Sequence, residues 1–154
     1  EVSLIDVANP IVIVRAADVG VDPALGMAGL NSDATLLERL ERLRVAAGRA
    51  MGLQPSKVIP RVAMVAPGAD LRVVMTSVGR VHHALPGTGI LALAGAVALG
   101  GTVIDDVLDG RPDTLTLQHF KGDVEVSASA DGDTLDWVAL PRTARILLSG
   151  EAYV

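Results

Sequence analysis

The sequence contains no cysteine. Disulfides, thiolate nucleophiles, iron–sulfur sites and thiol redox chemistry are therefore excluded within this chain. It has only three histidines, His82, His83 and His119, with no metal-ligand spacing, so no structural zinc site and no other metal is expected. Basic residues are also few: 13 Lys and Arg stand against 18 Asp and Glu, a formal net charge of −5. The one dense basic stretch lies on a predicted helix. A nucleic-acid partner needs a concentrated positive surface, so none is expected.

No long apolar run is left unbroken. Residues 85–103 carry no charge, but Pro86, Gly87, Gly89, Gly95, Gly100 and Gly101 interrupt them. With strand patterns on either side, they read as a buried helix rather than a membrane span. Residues 1–6 have neither a basic region nor a leader-like core, so no signal peptide is read and a cytoplasmic location is expected. The chain opens directly on a strand pattern, a first hint that it belongs to something longer.

What is present suits one compact domain: 154 residues, 50% of them hydrophobic. A chain of this size buries roughly two thirds of its extended surface without a staple. Residues 3–5 and 11–15 read as strands separated by a turn at Asn9-Pro10, and the β-branched Ile11-Val12-Ile13-Val14 should be buried on both faces. Residues 16–31 hold four Gly and Pro breakers and read as a loop. Asn31-Ser32-Asp33 then offers helix caps before Leu36, Leu37, Leu40, Leu43, Ala47 and Met51 at helical spacing, with Gly52 as the stop. Glu38, Arg39, Glu41, Arg42, Arg44 and Arg49 are expected to form the solvated face.

Residues 61–66 and 71–77 follow as a hairpin. Further strands are expected at 102–108, 113–118, 122–130, 134–140 and 145–148, and a last one at 152–154 would close the chain. The predicted helix 90–99 is apolar on every side, so protein must surround it. A curved, mostly antiparallel sheet of about eight strands wrapped around that helix, with one outer amphipathic helix, satisfies this. The fold class is α+β.

The chemistry-bearing segment is Gly79-Arg80-Val81-His82-His83-Ala84-Leu85-Pro86-Gly87-Thr88-Gly89, which leads into the apolar helix. Gly87 and Gly89 admit close approach of a ligand to the backbone, and Thr88 can offer a hydroxyl. The first helical N–H groups lack partners within the helix. Such an opening can cradle a carboxylate or phosphate, with Arg80, His82 and His83 as cationic donors. The residues alone also read as a structural turn, the more common role of a Gly-rich helix start. It is neither a phosphate-binding Gly-Lys-Ser/Thr loop nor a dinucleotide fingerprint. Met64 and Met75 are expected in the core, and Asp105-Asp106 at a solvent-facing strand end rather than on a metal.

Four ordered stretches carry a family resemblance: the opening from Ser3 through Asn9-Pro10 to Asp18, then His82-His83-Ala84-Leu85-Pro86-Gly87-Thr88-Gly89, Gly101-Thr102-Val103 and Arg142-Thr143-Ala144-Arg145. Together they resemble the second domain of the 2-methylaconitate cis–trans isomerase family, which includes 4-oxalomesaconate tautomerases and methylitaconate isomerase-like proteins. That family is similar in fold to diaminopimelate epimerase, with two alike domains and the active site between them. The resemblance makes Asn9 a donor to a substrate carboxylate, Gly87, Thr88 and Gly89 a carboxylate cradle, and His82 a substrate-orienting or proton-transferring residue. Apart from the resemblance, Ser77 near a strand end is expected to line the cleft, and Arg80 and His83 are expected among the substrate-binding residues as cationic donors.

Pro86 stands where the epimerases place their second catalytic cysteine, so the two-thiol mechanism is excluded. The resemblance places the proton-moving Lys, and in some members a Cys, in an N-terminal domain that this chain does not include. The expectation is thus the substrate-binding half of a cofactor-independent isomerase of small unsaturated polycarboxylates, inactive by itself. The rival reading is a non-catalytic binding or structural domain that keeps the fold. The expected partners are the small polycarboxylate and the missing domain, and an apolar interdomain face would also suit a homodimer. Residues 142–154 are expected to cross toward the missing domain.

Overall fold

The computed structural model describes residues 1–151. Among these, eight strands make one sheet: β1 Ser3–Val7, β2 Asn9–Arg15, β3 Arg61–Pro67, β4 Leu71–Ser77, β5 Arg80–Val81, β6 Thr114–His119, β7 Gly122–Asp131 and β8 Thr134–Ala139. The helices are α1 Gly26–Ser32, α2 Ala34–Ala50 and α3 Gly87–Leu99. The strand order is β1-β2-β3-β4-β6-β7-β8, with β5 added on β4. Neighbours run antiparallel except β2–β3 and β4–β6. A parallel pair requires a long crossover, and α2 and α3 supply the two.

Strand alternation sends the two helices to opposite faces. Ile11, Ile13, Ala63, Val65, Val73 and Met75 pack with α3 in one core. Their sequence neighbours Val12, Val14, Val62, Met64 and Val74 pack with Leu36, Leu40 and Ala47 of α2 in another. This is why Ile11-Val12-Ile13-Val14 is apolar throughout: every residue of the run is buried, as its composition implied. Met64 and Met75 are both core residues, as expected.

α3 has the enclosure that its composition demands. A methyl group built on Gly95 would lie 3.3 Å from Leu135 of β8 and 3.3 Å from Val7 of β1. Those strands are the two ends of the sheet path, so the sheet rolls until both edges touch one helical residue. Ala92, Leu93 and Ala96 are fully buried. The curved eight-stranded sheet around an apolar helix is therefore the fold observed.

Several local expectations give way to side-chain chemistry. Residues 102–108 form no strand. Thr102 Oγ1 instead accepts from the Ile104 N–H at 3.3 Å and Asp105 accepts from the Gly101 N–H at 2.8 Å, which winds 103–106 into a 3-10 turn. Asp105 and Asp106 consequently lie on this turn, paired with Arg111 and Arg15, and not at a strand end. The expected loop 16–31 holds two 3-10 turns and α1. Arg44 leaves the solvated face: it is buried, with Nε and Nη2 on the Glu41 carboxylate and Nη1 on the carbonyls of Ser56 and Ile59. Residues 145–148 form no strand and are exposed, and the strand expected at 152–154 lies outside the described residues.

Candidate functional site

Moving outward by two residues from core positions locates the polar groups on the α3 face. From Ile13 and Ile11 on β2 the next such position is Asn9, from Val65 and Ala63 on β3 it is Arg61, and from Val73 and Met75 on β4 it is Ser77. Ile11 is the register partner of Arg61, and Ser77 that of Arg80. Asn9, Arg61, Ser77 and Arg80 thus share one sheet face at the strand ends.

α3 begins beside this row. Its N-cap, Pro86, has no side chain able to accept from the first turn. Gly89 is buried so tightly that a methyl there would stand 2.6 Å from Met75 Sδ, so a larger residue would have to displace the end of that side chain. Gly87 is half-buried and Thr88 exposed. A methyl on Gly87 would lie 2.9 Å from Arg142 Nη2, which places the Arg142 guanidinium over the first turn. A cation at the positive end of a helix is unfavourable unless an anion joins them. The arrangement can hold a carboxylate.

The histidines are fixed from below. The Asn31 side chain bonds both polar groups of the Val81 backbone, at 2.9 and 3.0 Å, so Asn31 secures β5 instead of capping a helix. Asp33 takes the capping role, accepting from the Leu36 N–H at 2.9 Å. His82 then donates its backbone N–H to Met75 O at 2.8 Å. Its Nδ1 lies 2.6 Å from Ala84 O, which orients the ring, and the His83 ring stacks on it at 4.4 Å.

Two residues that the sequence reading missed join them. Arg61 has Nε and Nη1 shielded from water with no partner among the described residues, and so does Asn9 with Nδ2. Both ring nitrogens of His119 are likewise shielded and unpartnered. Burial holds the His119 pKa below its ordinary value, and the neighbouring charges of His82 and His83 lower it further. His119 also lines a cavity of 260 Å³ with Arg72, Gln118, Phe120 and Asp123. Period-two alternation held both signals, since Arg61 continues the series of Ala63 and Val65, and His119 that of Leu115 and Leu117. Asn9 and Ser77 lie at the ends of β2 and β4, and His82, Gly87 and Gly89 lead into α3, all at least half-buried, whereas Arg80, His83 and Thr88 are exposed. Among the described residues no group of three His, Cys, Asp or Glu side chains could hold a metal ion.

These features define a domain in which a rolled sheet encloses an apolar helix and a donor-rich rim surrounds the helix start. The chain belongs to the PrpF protein family, whose model matches residues 1–154. It is 31% identical to the (4E)-oxalomesaconate Delta-isomerase of Novosphingobium sp. (strain KA1), over 99% of this chain and 45% of that protein. It is 26% identical to the 2-methyl-aconitate isomerase of Shewanella oneidensis, over 96% and 44%. The crystal structure of methylitaconate-delta-isomerase superposes with a TM-score of 0.89 at 26% identity, covering 97% of this chain and 45% of that one. The chain spans about half the length of the relatives it matches.

Proposed function

We propose that this chain is the substrate-binding half of a cofactor-independent isomerase or tautomerase, acting on a small unsaturated di- or tricarboxylate of the 2-methylaconitate or 4-oxalomesaconate type. The observation that carries the reading is the donor-rich rim at the start of an enclosed helix. Such a rim suits a reaction whose intermediate spreads negative charge onto carboxylates, because donors fixed in advance stabilise that charge without reorganising. The named isomerases among the relatives support it.

In the whole enzyme a base removes a proton from an activated allylic carbon. The proton then returns at another carbon, or the intermediate rotates about its weakened double bond first. The adjacent carboxylates stabilise the carbanion, so no cofactor is called for. This chain orients the carboxylates through Asn9, Thr88 and the first-turn N–H groups, and His82 orients substrate or assists proton transfer. The family resemblance assigns the base to the other domain, which is the partner proposed here, and the cytoplasm is the proposed location. Exposed Leu4, Val78 and Trp137, with Ile146, Leu147 and Leu148 of the trailing segment, offer apolar surface to that domain or, in its absence, to a second copy.

The test is titration with cis-aconitate, alone and with the complementary half restored. Thr88→Val should weaken binding about threefold to tenfold, the loss of one hydroxyl hydrogen bond. Unchanged affinity would remove Thr88 from the site, and absence of binding by the reassembled enzyme would sink the reading. The alternative is a binding domain with no chemistry. It is favoured by the side chains named at the rim, which include no lysine, aspartate or glutamate to act as the base. Turnover on reassembly would exclude it.

A further inference from the structure

We propose that Arg61 and Asn9 form an inner carboxylate-binding pair, separate from the first turn of α3, so that the site selects acids with at least two carboxylates. This deepens the reading of the rim as an anion site and rests on it. The orphaned atoms carry the inference. Asn9 Nδ2, Arg61 Nε and Arg61 Nη1 are all shielded from water, and none has a partner among the described residues. All three are donors. Arg61 as a residue is half-buried, but these two of its guanidinium nitrogens are shielded, and a shielded donor without an acceptor is costly, so such groups persist where a ligand completes them. Three donors and no acceptor specify a missing group that accepts only, and an ionised carboxylate is that group.

The placement gives the ligand two separate loci of positive charge. Arg61 is the register partner of Ile11, whose side chain packs in the α3 core, so both face α3. Asn9 is the next residue outward on that face of β2. The second cationic locus is Arg142 over Gly87. One carboxylate on the Arg61–Asn9 pair and another beneath Arg142 would satisfy both guanidinium groups. A monocarboxylate leaves one of them unmatched.

The experiment measures binding of cis-aconitate, acetate and inorganic phosphate to the chain by calorimetry, beside thermal melting without ligand. Variants are Arg61→Met, Arg61→Lys and Thr88→Val. Arg61→Met should weaken cis-aconitate binding about tenfold to a hundredfold, as expected for losing a charge-assisted hydrogen bond. Its melting temperature should be unchanged or higher, which a merely structural arginine would not allow. Arg61→Lys keeps the charge and should recover part of the affinity, and it serves as the reporter if Arg61→Met does not fold. Acetate and phosphate should bind far more weakly than cis-aconitate. Wild-type affinity in both Arg61 variants, or acetate binding as well as cis-aconitate, overturns the inference even if Thr88→Val shows the rim to be an anion site. Arg61-dependent binding of cis-aconitate with no turnover in the reassembled enzyme keeps the inference and defeats the isomerase reading.

Discussion

Replacing Gly95 tests whether α3 is enclosed on all sides. The built methyl at Gly95 is 3.3 Å from Leu135 Cδ2 and 3.3 Å from both Val7 methyl carbons, and these neighbours come from opposite ends of the sheet path. Gly95→Ala gains about 1 kcal/mol of helix propensity. Against that, three atoms must each yield a few tenths of an ångström, so the alanine variant should lie near neutral. Gly95→Leu gains the same propensity but adds three further carbons where no space exists. Overpacking of this kind costs about 1–3 kcal/mol and occasionally more, and here it must push both sheet edges away from the helix, so about 3 kcal/mol is expected. For a domain of this size that is a fall of roughly 6–12 °C in Tm. Urea unfolding followed by circular dichroism reads the same change as a lower midpoint at constant slope. A helix lying on one side of an open sheet would accept the leucine and become more stable. If Gly95→Leu equals or exceeds wild type, the enclosure argument is wrong.

Three further outcomes follow from local geometry. Arg44→Met should cost about 2–4 kcal/mol in urea unfolding, because it strips the Ser56 and Ile59 carbonyls and the Glu41 carboxylate of their buried partner; a change below about 0.5 kcal/mol would show the network to be ornamental. Val78 holds φ +50 beside Gly79 at φ +72 in the turn between β4 and β5, a conformation that opposes a β-branched residue. Val78→Asn should therefore raise stability by about 1 kcal/mol, and a lower melting temperature would refute the strain. His119 has a pKa depressed by burial, so the unfolded chain takes up its proton first as pH falls below about 6.5. Its contribution is fully present above that pH and is lost as pH falls toward the depressed native value. Melting curves across this window should flatten in His119→Leu, and an unaltered slope would assign the dependence to another group.

The elements legible in the sequence are those whose signal is local or periodic. The unbroken apolarity of residues 11–14 implied a strand buried on both faces, and that of α3 implied a helix with no wet side. Both follow from the rule that apolar surface must be covered, which needs no knowledge of what covers it. The Gly87-Thr88-Gly89 opening was legible because glycines before an apolar run mark close backbone approach. Residues 102–108 misled because β-branched composition favours a strand, whereas the side chains of Thr102 and Asp105 satisfy backbone donors locally and turn the chain. Arg44 misled because its helical position was compatible with solvent, and only the path of residues 52–60 over α2 buries it.

Residue order alone dictates the two periodicities, the enclosed helix and the absence of thiol chemistry, since each depends on nothing but which residue types follow one another. Which polar groups meet is a matter of folding in three dimensions. Asn9, Arg61, Ser77 and Arg142 lie far apart along the chain, and only the roll of the sheet sets them around the start of α3. Whether Arg61 ends with a partner depends on what every neighbouring strand presents to it, and that sum exists only in the folded chain.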